Sequence, residues 1–395
     1  MKPIPSDAGL SRRRVPPTSF LLDPARDLTS DALILPAGAG TVREPEQRAW
    51  LRRLGCSLLA AALIALAATA QAAVGLAEIP GKAGDGAVTV YYPSSSDAQT
   101  VKRGPFSFQL AQDGAPRRGN GRLVMISHGS GGSPWVHANL ARALVEDGFI
   151  VAMPAHRGDN YQDTSTPGPE SWRRRPVEIS HAIDLVGQDP RFRPLLALDK
   201  VGMYGMSAGG HTALSLAGGR WSPASFKQYC EFHIGEDFQS CVGLITRLRG
   251  NILDGPKQAL ALWVIRYRFS DATWREHTDP RVAAIVAAVP YAADFDMASL
   301  AAPRMPVGLV TAPRDKWLIP QFHVERVLRA CAVCVRIADV PNGGHGALLS
   351  PLPPGLTGLV GDLLNDPPGF DRAVLPDIDR KIVEFFRAQL TARAR

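Results

Sequence analysis

Cysteine is sparse in this chain, five in 395 residues. Only one Cys-x-x-Cys occurs, at 331–334, with no second pair and no histidine at zinc-ligand spacing beside it. A four-ligand structural zinc site is therefore not indicated, and no metal is expected. Long apolar runs are also missing. The most extended, Leu58–Ala68, falls well short of the roughly 20 residues a helix needs to cross a bilayer. Aromatic residues make up 7% and do not interleave the two arginine runs, Arg12–Arg14 and Arg173–Arg175. Both runs read as solvated surface, and no nucleic-acid partner is expected. No internal repeat is visible, which counts against a propeller-bearing oligopeptidase. With 45% hydrophobic and 21% charged residues, a disordered, collagen-like or coiled-coil chain is excluded.

The formal charge is +7, and residues 1–72 hold nine Lys/Arg against six Asp/Glu. That front segment is read as targeting sequence. Arg48, Arg52 and Arg53 precede the apolar run Leu58–Ala68, and Ala70-Gln71-Ala72 follows as a small-x-small cleavage site. A basic region, a short apolar region and such a site describe a secretory signal peptide over 47–72, with a retained anchor as the alternative. Residues 1–46 are read as a disordered leader or as sequence upstream of the true start. A periplasmic or secreted protein is expected, with no stable membrane span once the signal is removed. Removal of Cys56 with the signal leaves Cys230, Cys241, Cys331 and Cys334. An even count in an exported chain suggests two local disulfides, Cys230–Cys241 and Cys331–Cys334.

From residue 73 onward, strand and helix signals alternate. Strands are expected at Ala87–Pro93, Leu123–Ser127, Phe149–Pro154, Lys200–Tyr204, Val282–Val289, Val307–Thr311 and Val333–Val340. Helices are expected after Ser133-Pro134, over Val177–Val186, Ala208–Ala217 and Gln321–Ala330, and over Lys381–Leu390. This rhythm implies one α/β domain, 73–395, with a mostly parallel sheet covered on both faces. Residues 220–280 break it with a cluster that includes Trp221, Phe226, Tyr229, Trp263, Tyr267 and Trp274. They read as a cap-like insertion, whose aromatics either contact substrate or form a small core of their own.

The chemistry-bearing motif is Gly205-Met206-Ser207-Ala208-Gly209, after an apolar strand and before a helix. That context is a nucleophile elbow, where a sharp turn exposes the Ser207 hydroxyl over a helix N-terminus. The turn His128-Gly129-Ser130-Gly131-Gly132 follows the strand Leu123–Ser127. A tetrahedral intermediate needs two backbone N–H donors, and these are expected from Ser130 and Ala208. His345, between glycines after the last strand, is the expected base. His128 and His211 read as structural, with His128 and His156 also candidates for the pocket wall. Asp315 is the expected acid, with Asp294 and Asp296 as rivals. Ser207, Asp315, His345 is also the triad's chain order in α/β-hydrolases.

On these residues, together with Tyr91-Tyr92-Pro93 and Gly369-Phe370-Asp371-Arg372, the chain resembles the predicted dienelactone hydrolase and platelet-activating-factor acetylhydrolase type of serine α/β-hydrolase. The resemblance spans roughly 85–390. It implies an α/β-hydrolase fold, Ser207, Asp315 and His345 as nucleophile, acid and base, and Ser130 and Ala208 as oxyanion donors. Ser207 stands where dienelactone hydrolases carry cysteine. The stretch Ala288–Tyr291, where acetylhydrolases place their acid, has none here, which supports Asp315. The expectation is an exported hydrolase of small-molecule or lipid-like carboxylic esters that needs no cofactor. A serine peptidase and a catalytically silent binding protein are the alternatives.

Overall fold

The structure is a computed structural model that describes residues 73–392. The leader 1–46 and the signal segment 47–72 lie outside the described residues. No described helix is long and apolar enough to cross a membrane.

Ten strands form one sheet: β1 Ala73–Ile79, β2 Val88–Ser94, β3 Gln99–Arg103, β4 Phe106–Gln112, β5 Leu123–Ser127, β6 Ile150–Pro154, β7 Val201–Met206, β8 Val282–Ala288, β9 Val307–Thr311 and β10 Val335–Asp339. Their order is β10-β9-β8-β7-β5-β6-β2-β1-β4-β3. From β10 to β6 every neighbouring pair is parallel, and the remaining strands add a mostly antiparallel wing. The central strands β5, β7 and β9 are buried along their whole length, as a sheet covered on both faces requires.

Side chains alternate between two cores, as the two-residue strand period dictates. Val124 and Ile126 of β5 face α1 (Ala138–Glu146) and α10 (Leu375–Leu390). Leu123 and Met125 face α2 (Pro169–Gln188) and α3 (Ala208–Leu216). The chain runs from β5 outward to β6, then crosses back to place β7 on the other side of β5. This reversal is a topological switch point at the carboxyl ends of β5 and β7, the position at which α/β sheets bind ligands.

The elements depart from expectation in three places. β2 continues through Pro93 to Ser94 rather than stopping at the proline. β1, β3 and β4 were not expected: β3 is mostly exposed, β1 is largely buried but interrupted by Gly75 and Glu78, and β4 sets Phe106, Phe108 and Leu110 inward between polar residues, a two-residue alternation rather than the continuous apolar run of a doubly covered strand. Ser133 does occupy a helix-start position, but without a side-chain cap bond, and a 3-10 turn Pro134–His137 precedes α1.

The insertion folds as α4 (Pro223–His233), α5 (Phe238–Val242) and α6 (Asp254–Arg268). Its aromatics divide. Trp221, Phe226 and Tyr229 enter the main core, while Phe232, Trp263, Tyr267 and Trp274 remain exposed. Cys230 is bonded to Cys241 and Cys331 to Cys334, so both expected pairs lie at disulfide distance. Within the insertion the Tyr229 hydroxyl donates to Asp237 at 2.6 Å, and His323 Nε2–H, outside it, donates to the same carboxylate oxygen at 3.0 Å. His323 Nδ1 in turn accepts from the Ala292 N–H. Three short helices complete the chain: α7 (Met297–Leu300), α8 (Val324–Ala330) and α9 (Gly358–Leu364).

Candidate active site

Ser207 sits between β7 and α3 with φ 57° and ψ −117°. A non-glycine residue at positive φ is strained, and such strain gathers where a side chain must be aimed. The flanking glycines answer to space rather than to φ. A Cβ on Gly205 would lie 1.9 Å from the Gly209 carbonyl oxygen, and one on Gly209 would lie 1.9 Å from that of Ser127. The elbow is thus wedged against the end of β5.

His345 reaches this point from the turn after β10. Its Nε2 accepts from the Ser207 hydroxyl at 3.0 Å, and its Nδ1–H donates to Asp315 Oδ2 at 2.7 Å. The second carboxylate oxygen, Oδ1, accepts from the backbone N–H groups of Trp317 and Leu318 at 2.8 and 2.9 Å. The acid is therefore held by both oxygens. Gly346 allows the imidazole its place, since a Cβ there would sit 2.1 Å from the Leu364 carbonyl oxygen of α9.

The two rival acids are engaged elsewhere. Asp294 is fully buried and accepts from His211 Nε2–H at 3.1 Å. Asp296 caps α7 and pairs with Arg220 at 2.7 Å.

The glycine-rich turn after β5 lies over Ser207: a Cβ on Gly129 would be 3.4 Å from the Ser207 Cβ. The amides of Ser130 and Ala208 donate to no protein acceptor among the described residues, whereas those of Gly131 and Gly132 are taken. Asp159 holds the turn from behind. One carboxylate oxygen accepts from Ser130 Oγ at 2.5 Å and from the Gly131 N–H at 2.9 Å. The other accepts from Ser171 Oγ and from Arg175.

Arg175 corrects the sequence reading. It was expected on solvated surface with Arg173 and Arg174, yet it is fully buried. It donates to the His128 carbonyl at 2.6 Å, to Ser171 Oγ and to Asp159 at 2.9 Å. Trp172, Arg175, Ile179, Ala182 and Val186 all lie on the buried face of α2. That helical spacing was the signal available in the sequence. Burial alone would raise the Asp159 carboxyl. The charge of Arg175 and the bonds from Ser130, Ser171 and Gly131 outweigh it and hold the carboxyl below its ordinary range.

His128 and His156, candidates for the pocket wall, are instead buried beneath the turn. His128 Nδ1–H donates to the Gly129 carbonyl at 2.7 Å. His156 Nδ1–H donates to Glu178 Oε2 at 2.5 Å, and its Nε2 accepts from the Ser127 hydroxyl at 2.7 Å. Burial, followed by the nearby cationic Arg175, pushes His156 well below the ordinary histidine value. Ser127, His156 and Glu178 thus repeat the bonding order seen at Ser207 in a place closed to solvent. They act as a brace: a neutral imidazole fixes the hydroxyl at the root of the turn.

No family model matches the chain, and no curated protein matches it. Among solved structures it is similar to a ferulic acid esterase from Streptomyces cinnamoneus, with a TM-score of 0.52 and 16% identical residues. The match covers 83% of this chain and 93% of that one. The likeness is one of fold.

Proposed function

We propose that the chain is an exported serine hydrolase that cleaves carboxylic esters. The observation that carries this reading is the chain of hydrogen bonds from Ser207 through His345 to Asp315 at the carboxyl ends of the parallel strands. A hydroxyl bonded to an imidazole that a carboxylate orients is the arrangement that makes serine nucleophilic at neutral pH. The ester-cleaving neighbour of the same fold is in keeping with it.

In the proposed reaction His345 Nε2 takes the Ser207 proton as Oγ attacks the substrate carbonyl. Asp315 fixes the tautomer with Nδ1 protonated and stabilises the imidazolium. The N–H groups of Ser130 and Ala208 stabilise the oxyanion, assisted by the positive end of α3. His345 then protonates the leaving alcohol oxygen, and an acyl-enzyme remains. Water, deprotonated by His345, attacks the acyl carbon; as the second tetrahedral intermediate collapses, His345 returns that proton to Ser207 Oγ, and the acid and free Ser207 are released. The resemblance to dienelactone and acetylhydrolase types rests on the motifs themselves, and Ser207 in place of cysteine favours simple esters over dienelactone.

Ser207→Ala should lose on the order of 10⁶ in kcat on p-nitrophenyl esters and lose fluorophosphonate labelling, with unchanged circular dichroism. Retention of more than a few per cent of the activity would assign the nucleophile elsewhere. Export is supported by the signal pattern over 47–72 and by the two cysteine pairs.

A further inference from the structure

The described residues leave large apolar side chains in solvent, and these are concentrated on the insertion. Leu253, Leu260, Trp263 and Tyr267 are all exposed and recur at spacings of seven, three and four along α6 and its N-cap. That spacing makes one outward stripe. Trp263 is 65% exposed and Tyr267 81%, their rings nearly parallel with centroids 6.3 Å apart. Ile245 and Ile252, in the loop that leads into α6, are 86% and 93% exposed. Only Ile265 of α6 is buried, so the helix contributes little to the core of the domain.

The charge around the stripe has one sign. Residues 244–268 carry Arg247, Arg249, Lys257, Arg266 and Arg268 against the single acid Asp254. Arg266 pairs with Glu231, Lys257 with Asp254, and Arg247 with Asp362 of α9. Arg249 and Arg268 have no ion-pair partner among the described residues. The pair to α9 locates the surface, because α9 is also the element against which Gly346 packs beside His345. The patch therefore adjoins the support of the candidate active site.

We propose that α6 and its leading loop form an interfacial docking surface for an anionic lipid bilayer. Amphipathic Trp and Tyr rings, exposed isoleucines and flanking arginines match the apolar boundary and the phosphates of such a surface. A second copy of the chain fits less well. Self-packing of this face would set arginines against arginines, and like charges across an interface are repulsive. The inference does not depend on the ester-cleaving reading, because it concerns binding alone.

Hydrogen exchange read peptide by peptide on the full chain tests it, with vesicles of phosphatidylcholine containing about one third phosphatidylglycerol as the probe. Local readout separates the patch from any apolar leader that also binds. Peptides within 244–268 should become protected on addition of vesicles. The protection should weaken in high salt and with pure phosphatidylcholine. Trp263→Ser with Tyr267→Ser should reduce vesicle-dependent protection of this segment by at least about tenfold. Arg249→Gln with Arg268→Gln should reduce it by about thirtyfold, the loss of two basic contacts near the surface. All four residues are exposed, so the fold should survive, and activity on a water-soluble ester reads the function separately. The proposal is overturned if vesicles leave 244–268 unprotected or if both double variants behave like the parent. It is also overturned if the segment is already protected without vesicles, by concentration-dependent dimerisation or by residues 1–72.

Discussion

Arg175→Met tests the buried support of the Ser130 turn. The guanidinium is fully buried and donates to Asp159, Ser171 and the His128 carbonyl. Methionine keeps the stem but removes the charge, leaving the Asp159 carboxylate in the interior with only Ser130, Ser171 and the Gly131 N–H. Breaking a buried pair by removing one partner costs about 3–5 kcal/mol, against about 5–15 kcal/mol for a whole domain. Urea unfolding at pH 7 should show that loss. The activity effect has a separate origin, in the turn that carries a proposed oxyanion donor. Deleting one such donor outright costs about 10²–10³ in kcat, so loosening it should cost about tenfold to a hundredfold. The double variant Arg175→Met with Asp159→Leu separates the two effects. Stability should return to within about 1–2 kcal/mol of the parent, since no unpaired charge is left. The kcat on p-nitrophenyl esters should stay low, because the Ser130 hydroxyl and the Gly131 N–H have lost their acceptor. If the single variant costs less than about 1 kcal/mol, or if the double variant costs the sum of the singles, the pair is not the coupled support described. Full recovery of kcat in the double variant would show that the turn keeps its shape without Asp159.

Three further outcomes are expected. Asp315→Asn should lower kcat by about 10⁴ through the wrong imidazole tautomer, while Asp294→Asn and Asp296→Asn stay within about tenfold of the parent; a reversed ranking in ester kinetics would move the acid to the earlier strand end. Burial lowers His137 from 6.5 to about 4, and both its ring nitrogens lack partners among the described residues. The unfolded chain therefore binds the extra proton between those values, so stability is present above 6.5 and lost as pH falls towards 4. Urea titrations of His137→Phe should show a pH slope shallower by about one proton across that window, and an unchanged slope would place the acid lability elsewhere. Cys230→Ser with Cys241→Ser should cost roughly 2.5–3 kcal/mol for a bridge spanning a sequence separation of 11. Non-reducing peptide maps and intact mass of protein recovered outside the cytosol would check both bridges and cleavage after Ala72, and free thiols at Cys230 and Cys241 would refute the first bridge.

Much of the site was legible because its logic is local. A strand, a Gly-x-Ser-x-Gly turn and a helix are contiguous, so the position of Ser207 follows from neighbours in the chain. The parallel strands read clearly because a doubly covered strand must be apolar throughout. His345 and Asp315 each follow a core strand, and a parallel sheet brings all such ends to one edge. The antiparallel wing had a weaker signal, since β4 buries only one face, through Phe106, Phe108 and Leu110, and β3 is mostly exposed, so neither shows a continuous apolar run. Arg175, Asp159 and Glu178 were hidden for a different reason. A charged residue reads as surface until a specific partner compensates its burial, and here the compensating charge or imidazole sits on another element, Asp159 for Arg175 and His156 for Glu178. His156 looked like a pocket residue for the same cause, because nothing near it in the chain announces Glu178. The sequence by itself determined the α/β order, the elbow and the candidate Ser-Asp-His residues. Only the tertiary structure decided which carboxylates are engaged elsewhere, which arginine is interior, and which face of the insertion is left to solvent, because each of those depends on contacts between residues far apart in the chain.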